Sequence, residues 1–304
     1  MVDYSKIPSL LLLIISILIC LFSGVIGNLY SKKYISNNQE RLFYCIVTQS
    51  VTVVSLIVLS GFSFKCSLYT FVMAILFGFL ITLQSVMSLN ALAIGLWSYT
   101  AVLGSFSTVI TAFSGYLFWN EKLPPVKIFG VILMTVCVIL SVSKEKETKK
   151  TSLKWLLYVL MSSISNACIG LLQKTHQKSE YKGELSQFLI VAFIVATIFS
   201  VISFFSAGIV CKKSNDTEKT IKKGILRPIL ICGMLLVGIC AALNNEFNLY
   251  LSGVMDSAVF FPMVNGGGLI LSIVVSVIAF REKLSAKQWG GIFMGVVAAF
   301  LLCK

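Results

Sequence analysis

Trp119-Asn120-Glu121-Lys122-Leu123 ends one long apolar stretch and opens the next, and Phe280-Arg281-Glu282-Lys283-Leu284 does the same 161 residues further on. Each copy is followed, nine residues after its glutamate, by a glycine: Gly130 in the first and Gly291 in the second. A chain that repeats a charged hairpin at half its own length reads as two related halves. Five apolar segments precede the charged stretch Lys144-Glu145-Lys146-Glu147-Thr148-Lys149-Lys150, and five follow it. An odd number of membrane spans per half sets the halves in opposite orientations. That is the architecture of an alternating-access carrier with its substrate site between the repeats.

Composition points the same way. Of the 304 residues 57% are hydrophobic and only 12% charged, against about 25% charged in a soluble domain; the mean hydropathy is +0.93. Crossing a bilayer takes about 20 apolar residues. The candidate segments are 8–30, 42–62, 68–93, 97–119, 125–143, 153–174, 185–210, 227–250, 256–280 and 286–303. The first could pass for a signal peptide, but its apolar run is too long and Cys20-Leu21-Phe22 is a poor cleavage site. The fold class expected is therefore an all-α integral membrane protein. Its ten transmembrane helices form two inverted five-helix repeats, residues 1–146 and 147–304.

Charge placement fits this plan. All 25 Lys and Arg residues fall in loops or at expected span ends, so no cation is expected within a span. Glu246 is the one acid expected well inside a span, and Asp256 lies at a boundary. The net charge of +13 is spread over hairpin loops, with no nucleic-acid motif. Loops lying near anionic lipid headgroups account for it, so membrane lipid is an expected partner and nucleic acid is not. The nine cysteines form no CxxC pair and lie mostly in spans, as small packing residues rather than disulfide or metal ligands. The chain holds no nucleotide-binding loop, and no cofactor or metal is expected.

The hairpin glutamate, the apolar residue two positions on and the glycine nine positions on resemble the closing hairpin of the EamA domain. That domain defines the main branch of the drug/metabolite transporter superfamily, and the likeness in span number and length covers the whole chain. Family hairpins usually place glycine before the glutamate, where this chain has Asn120 and Arg281. A proline often stands thirteen residues before the glutamate, where this chain has Thr108 and Leu269. The resemblance implies a cavity lined partly by spans 3 and 8, and both termini inside. The positive-inside rule places the termini outside, because 17 of the 25 basic residues fall on the opposite side.

Candidate site residues follow from polarity inside spans. Glu246 sits in Leu243-Asn244-Asn245-Glu246-Phe247-Asn248; an intramembrane carboxylate is costly and by default has a task, here proton coupling or holding a cationic group. Asn245, Asn248 and Ser252 share a helical face. Asn245 answers Gln84 at the repeat offset, and Gln84, Ser88 and Ala91 make a second face with Asn90 nearby. Such amides suit polar uncharged or zwitterionic groups, or serve only as bonds between helices. Pro262-Met263-Val264-Asn265-Gly266-Gly267-Gly268 predicts a broken or bendable helix, with Asn265 at the site and Pro262, Gly266, Gly267 and Gly268 as gate or hinge. Its counterpart in span 4 is Gly104-Ser105-Phe106-Ser107-Thr108. Tyr99 is the aromatic expected to face a cavity, and Asn28 and Tyr30 close span 1. Glu121 and Glu282 are expected to be structural, satisfying backbone donors at a helix boundary or pairing with Lys122 or Lys283, and His176 to lie at the polar end of span 6.

The function expected is secondary active transport of a small neutral, zwitterionic or cationic organic metabolite across the plasma membrane, by a monomer or homodimer. A membrane-embedded enzyme would need a convergent acid, base or nucleophile set, which one histidine and one intramembrane glutamate do not supply. A non-transporting scaffold or partner subunit is the other alternative.

Overall fold

The computed structural model describes residues 4, 7–33, 38–62, 65–94, 97–141, 153–213, 228–280 and 285–303. Among them the chain is helical without strands: α1 (Ser9–Lys33), α2 (Asn38–Leu59), α3 (Leu68–Ile94), α4 (Trp97–Trp119), α5 (Pro125–Ser141), α6 (Leu153–Lys178), α7 (Leu185–Lys213), α8 (Pro228–Val254), α9 (Ser257–Phe280) and α10 (Ala286–Leu302), with one 3-10 turn at Lys182–Glu184. These boundaries fall within about one helical turn of the expected apolar segments. Among the described residues five stretches are long and apolar enough to cross a membrane: Leu42–Leu59, Leu68–Ser88, Leu153–Lys178, Lys182–Ser206 and Ile231–Val254. Ser9–Ser23, Pro125–Leu140 and Ala286–Leu302 are shorter apolar helices. The chain is thus compatible with a multi-pass membrane protein.

Side-chain polarity is arranged as lipid requires. Large apolar residues at helical spacing face outward, as with Leu11, Ile14, Leu18 and Phe22 on α1 and Phe293, Val296 and Phe300 on α10. Hydroxyls turn inward and bond their own helix: Thr52 Oγ1 donates to the Thr48 carbonyl, Thr111 to Ser107 and Ser163 to Val159. Such back-bonding satisfies a polar group without water.

The chain divides into two compact units, and each draws on both halves of the sequence. Unit 1 is Met1–Thr82 with Ser179–Tyr250; unit 2 is Leu83–Lys178 with Leu251–Lys304. In unit 1, α2 packs along α7, and Ser200 Oγ donates to Gln49 Oε1 at 2.8 Å. Gly238 of α8 comes so close to α2 that a Cβ there would press on Val51 and the Thr48 carbonyl; Thr52 Oγ1 uses that proximity to reach the Gly238 carbonyl at 3.0 Å. The start of α3 is capped from a distance, with the Glu184 carboxylate accepting from Ser67 N and Oγ at 2.9 and 2.7 Å.

Unit 2 is built from α4, α5, α6, α9 and α10 with the end of α3. Its core joins Ala112, Val131, Met134, Ala258, Val259, Ala298 and Leu302. The repeated glycine of the hairpin has its reason here. Gly130 on α5 is buried, and a Cβ would meet Leu302 of α10 at 2.9 Å, while Gly291 is buried on α10 itself. Small residues let the two backbones approach.

The residue before the hairpin glutamate also finds its explanation. Asn120 has φ +51, the left-handed region that glycine enters freely and asparagine tolerates best after it. With that turn made, Glu121 N donates to the Gly115 carbonyl at 3.2 Å and α4 ends. Asparagine is therefore a conformational stand-in for glycine at this turn. Asn120→Gly should leave the thermal midpoint nearly unchanged. Asn120→Val should destabilise by about 1–2 kcal/mol, which thermal unfolding in detergent would register.

Candidate functional site

In unit 1 the polar face of α8 meets α1 and the chain ahead of it. Ser16 Oγ lies 2.8 Å from the amide oxygens of both Asn244 and Asn248, which are one turn apart on α8. Ser16 is fully buried and the two amides half-buried. Asn245 turns away from this group, its Nδ2 donating to the Ala241 carbonyl of its own helix at 2.8 Å. The pair that meets a neighbouring helix is Asn244 with Asn248.

Glu246 is 2% exposed. Its carboxylate accepts from Tyr4 Oη at 2.6 Å and from Ser186 Oγ at 2.6 Å. Tyr4 precedes α1, and its ring lies against Phe247 and Tyr250, with centroids 5.5 Å away in each case. Burial first, and then the bond to Glu246, push the Tyr4 phenol well up from its ordinary value, so it remains a proton donor throughout the physiological range. Glu246 is thus a buried carboxylate held by two hydroxyls.

In unit 2 a second polar group crosses three helices. Asn166 of α6 donates to Ser107 Oγ of α4 at 2.9 Å, and Asn265 of α9 donates to Thr108 Oγ1 at 3.0 Å. Ser107 and Thr108 are both buried. Asn265 thus meets the hydroxyl segment of span 4 that its own segment answers in sequence. Asn166 was not among the expected residues, although a run reading Ser162-Ser163-Ile164-Ser165-Asn166 inside a span carries the signal.

On α3, Gln84, Ser88 and Asn90 are half-buried. Ala91, assigned to the same face as Gln84 and Ser88, is fully buried against Trp155 and Val159 of α6. The Gln84 carbonyl accepts from Ser162 Oγ at 3.4 Å. The α9 segment is helical throughout Ser257–Phe280, with Pro262 inside it, so the broken form of the expectation is not what this conformation holds. Proline lacks an N–H, which removes the usual helical donor to the Ala258 carbonyl. Gly266 gives room to Met134, whose side chain a Cβ would strike. Gly268 has open space at the same test, and Gly267 is half-buried. The side chains of Tyr99, Asn28 and Tyr30, and all of Glu282, lie outside the described residues.

Two expectations about charge need correction. Lys174 is fully buried in α6, so a cation does lie within an apolar helix. Its ion-pair partner is Glu121, for which backbone donors or Lys122 were the expected partners. The Lys174 ammonium also donates to the Met255 carbonyl at 2.8 Å and sits 5.9 Å from the Trp119 ring centroid. The other carboxylate oxygen of Glu121 accepts from Ser257 N at 2.8 Å, capping the start of α9. Sequence reading treats a lysine four residues from a helix end as one that snorkels to water, and its partner lies 53 residues away. His176, expected at a polar end, is also fully buried, with Nδ1 3.3 Å from Gln177 Nε2.

No family model matches this sequence, and no curated protein matches it. Solved structures do: 28 chains resemble it. One, a crystal structure of a protein, superposes with a TM-score of 0.69 over 96% of this chain and 98% of its own, at 12% identity. At that identity the likeness shows a shared fold.

Proposed function

We propose that the chain is a secondary carrier of the kind that forms the main branch of the drug/metabolite transporter superfamily. In this reading ten spans form two inverted five-helix repeats, 1–146 and 147–304. The protein moves a small neutral, zwitterionic or cationic organic metabolite across the plasma membrane by alternating access, as a monomer or homodimer, with Glu246 as the proton-coupling group. The observation that carries the proposal is the pairing of amides and hydroxyls inside each unit. Ser16 meets Asn244 and Asn248 in one, and Ser107 and Thr108 meet Asn166 and Asn265 in the other. Each unit thereby keeps groups that both donate and accept hydrogen bonds between its helices.

The substrate class follows from charge. Phosphates and other strong anions call for a desolvated cation, and among the described residues the fully buried cation, Lys174, already holds Glu121 and the Met255 carbonyl. Amide and hydroxyl groups suit substrate hydroxyls, amines and amides, and an ionised Glu246 would add affinity for a cationic group.

Uptake into proteoliposomes tests the proposal, using a panel of radiolabelled amino acids, sugars, amines and phosphate, each with and without an imposed proton gradient. Saturable uptake of a neutral, zwitterionic or cationic compound, raised by the gradient, is the expected result. Uptake of phosphate alone would overturn the substrate class. No saturable uptake across the panel would favour the scaffold alternative.

A further inference from the structure

The Glu121–Lys174 contact joins three separate pieces of unit 2: the α4–α5 hairpin, the end of α6 and the turn from α8 into α9. We propose that this pair is a dissociable latch, closed in this conformation, whose opening frees the hairpin from α6 and from the start of α9 during the working cycle. The inference rests on the carrier reading for its purpose, and on the geometry of unit 2 for its existence.

The first argument is what a buried ion pair does and does not provide. Lys174 is fully buried and Glu121 side-chain exposure is 12%. Removing two charges from water consumes most of what their attraction returns, and an apolar pair of the same volume holds a structure at least as firmly. A permanent staple has no need of ions. The difference appears on opening, when separated ions recover their hydration and separated apolar groups gain nothing. A buried pair therefore has an open state close in free energy to the closed one.

The second argument is independent of the ions. Ser257 is fully buried, and its Oγ has no hydrogen-bond partner. An unsatisfied buried hydroxyl penalises the closed arrangement and is relieved when water reaches it. The hydroxyl lies beside the carboxylate, since a Cβ added at Gly115 would collide with both.

The third argument is steric. The carboxylate is seated over the last turn of α4 at Gly115, which puts no side chain in its way. A second ion pair, between Lys127 and Asp256 at 2.5 Å, ties the same hairpin to the same turn. The Asp256 side chain is 47% exposed, and a contact that wet is too weak to act as a lock.

The test needs no knowledge of the substrate. Ser257→Cys places a thiol where only an opened latch admits a charged, membrane-impermeant maleimide, and peptide mass analysis reads labelling at that position apart from the native cysteines. Labelling well below the unfolding temperature is expected with the native pair. Adding Glu121→Gln together with Lys174→Met removes the ions but keeps an acceptor for Ser257 N. Labelling should then slow about tenfold or more, with the thermal midpoint unchanged or higher.

Should the double variant not fold, Glu121→Gln alone serves: it leaves Lys174 buried without its counter-ion, and labelling should quicken about tenfold. A fixed staple would instead give native-pair labelling no faster than global unfolding, or equal labelling with and without the ions, and either result overturns the proposal. Uptake of a panel compound without labelling removes the latch and keeps the carrier. Labelling without any uptake removes the carrier and keeps a latch that opens.

Discussion

Glu121→Ala should be among the most damaging single substitutions in unit 2, lowering the thermal midpoint in detergent far more than Lys174→Met does. Truncating the glutamate leaves Lys174 charged and buried with no counter-ion, a change worth about 3–5 kcal/mol. It also takes the acceptor from Ser257 N at the first turn of α9, adding about 1–3 kcal/mol for a buried donor left unmade. Lys174→Met is milder, because the carboxylate keeps Ser257 N at 2.8 Å and retains 12% exposure to water. Replacing both charges should recover most of the loss. Thermal unfolding of the three variants beside wild type decides the matter. If Glu121→Ala and Lys174→Met unfold together with wild type, the pair does not hold unit 2 in the manner argued.

That pair also marks where sequence reading stops. The apolar runs place helices well, as Trp97–Trp119 illustrates, because a membrane-long stretch of apolar residues leaves the backbone little choice but to bond within itself. The hairpin repeat placed Glu121 and Gly130 at positions that the packing then explains. What a run cannot disclose is which of its few polar residues meet across the chain. Ser16 stands alone between isoleucines, and nothing near it in sequence names Asn244 or Asn248, more than two hundred residues away. Lys174 looks like an end-of-helix lysine until Glu121 is seen against it. Asn166 was legible and was passed over, since a polar run within a span is itself the signal. The two sequence halves follow chain order, whereas the compact units recombine pieces of each, and chain order alone does not dictate that recombination.

Glu246→Gln should abolish gradient-driven uptake while leaving the fold in place. The amide has the shape of the carboxylate and keeps an oxygen for one hydroxyl, while its nitrogen can donate to the oxygen of the other, so Tyr4 and Ser186 remain partnered. Two charge-assisted bonds become neutral ones, but the burial penalty of an ion disappears with them, and the thermal midpoint should move little. Coupling has no such compensation, because an amide cannot take up and release the proton. Linked binding typically carries a several-fold to hundredfold effect, so a rise in uptake of about that size should be lost with the carboxylate, leaving residual flux independent of the gradient. Tyr4→Phe and Ser186→Ala supply the contrast. Each removes one donor but leaves an ionisable carboxylate, so gradient dependence should persist. If the gradient still drives the Glu246→Gln protein at the wild-type rate, Glu246 is an anchor for the chain ahead of α1, and the coupling group lies elsewhere.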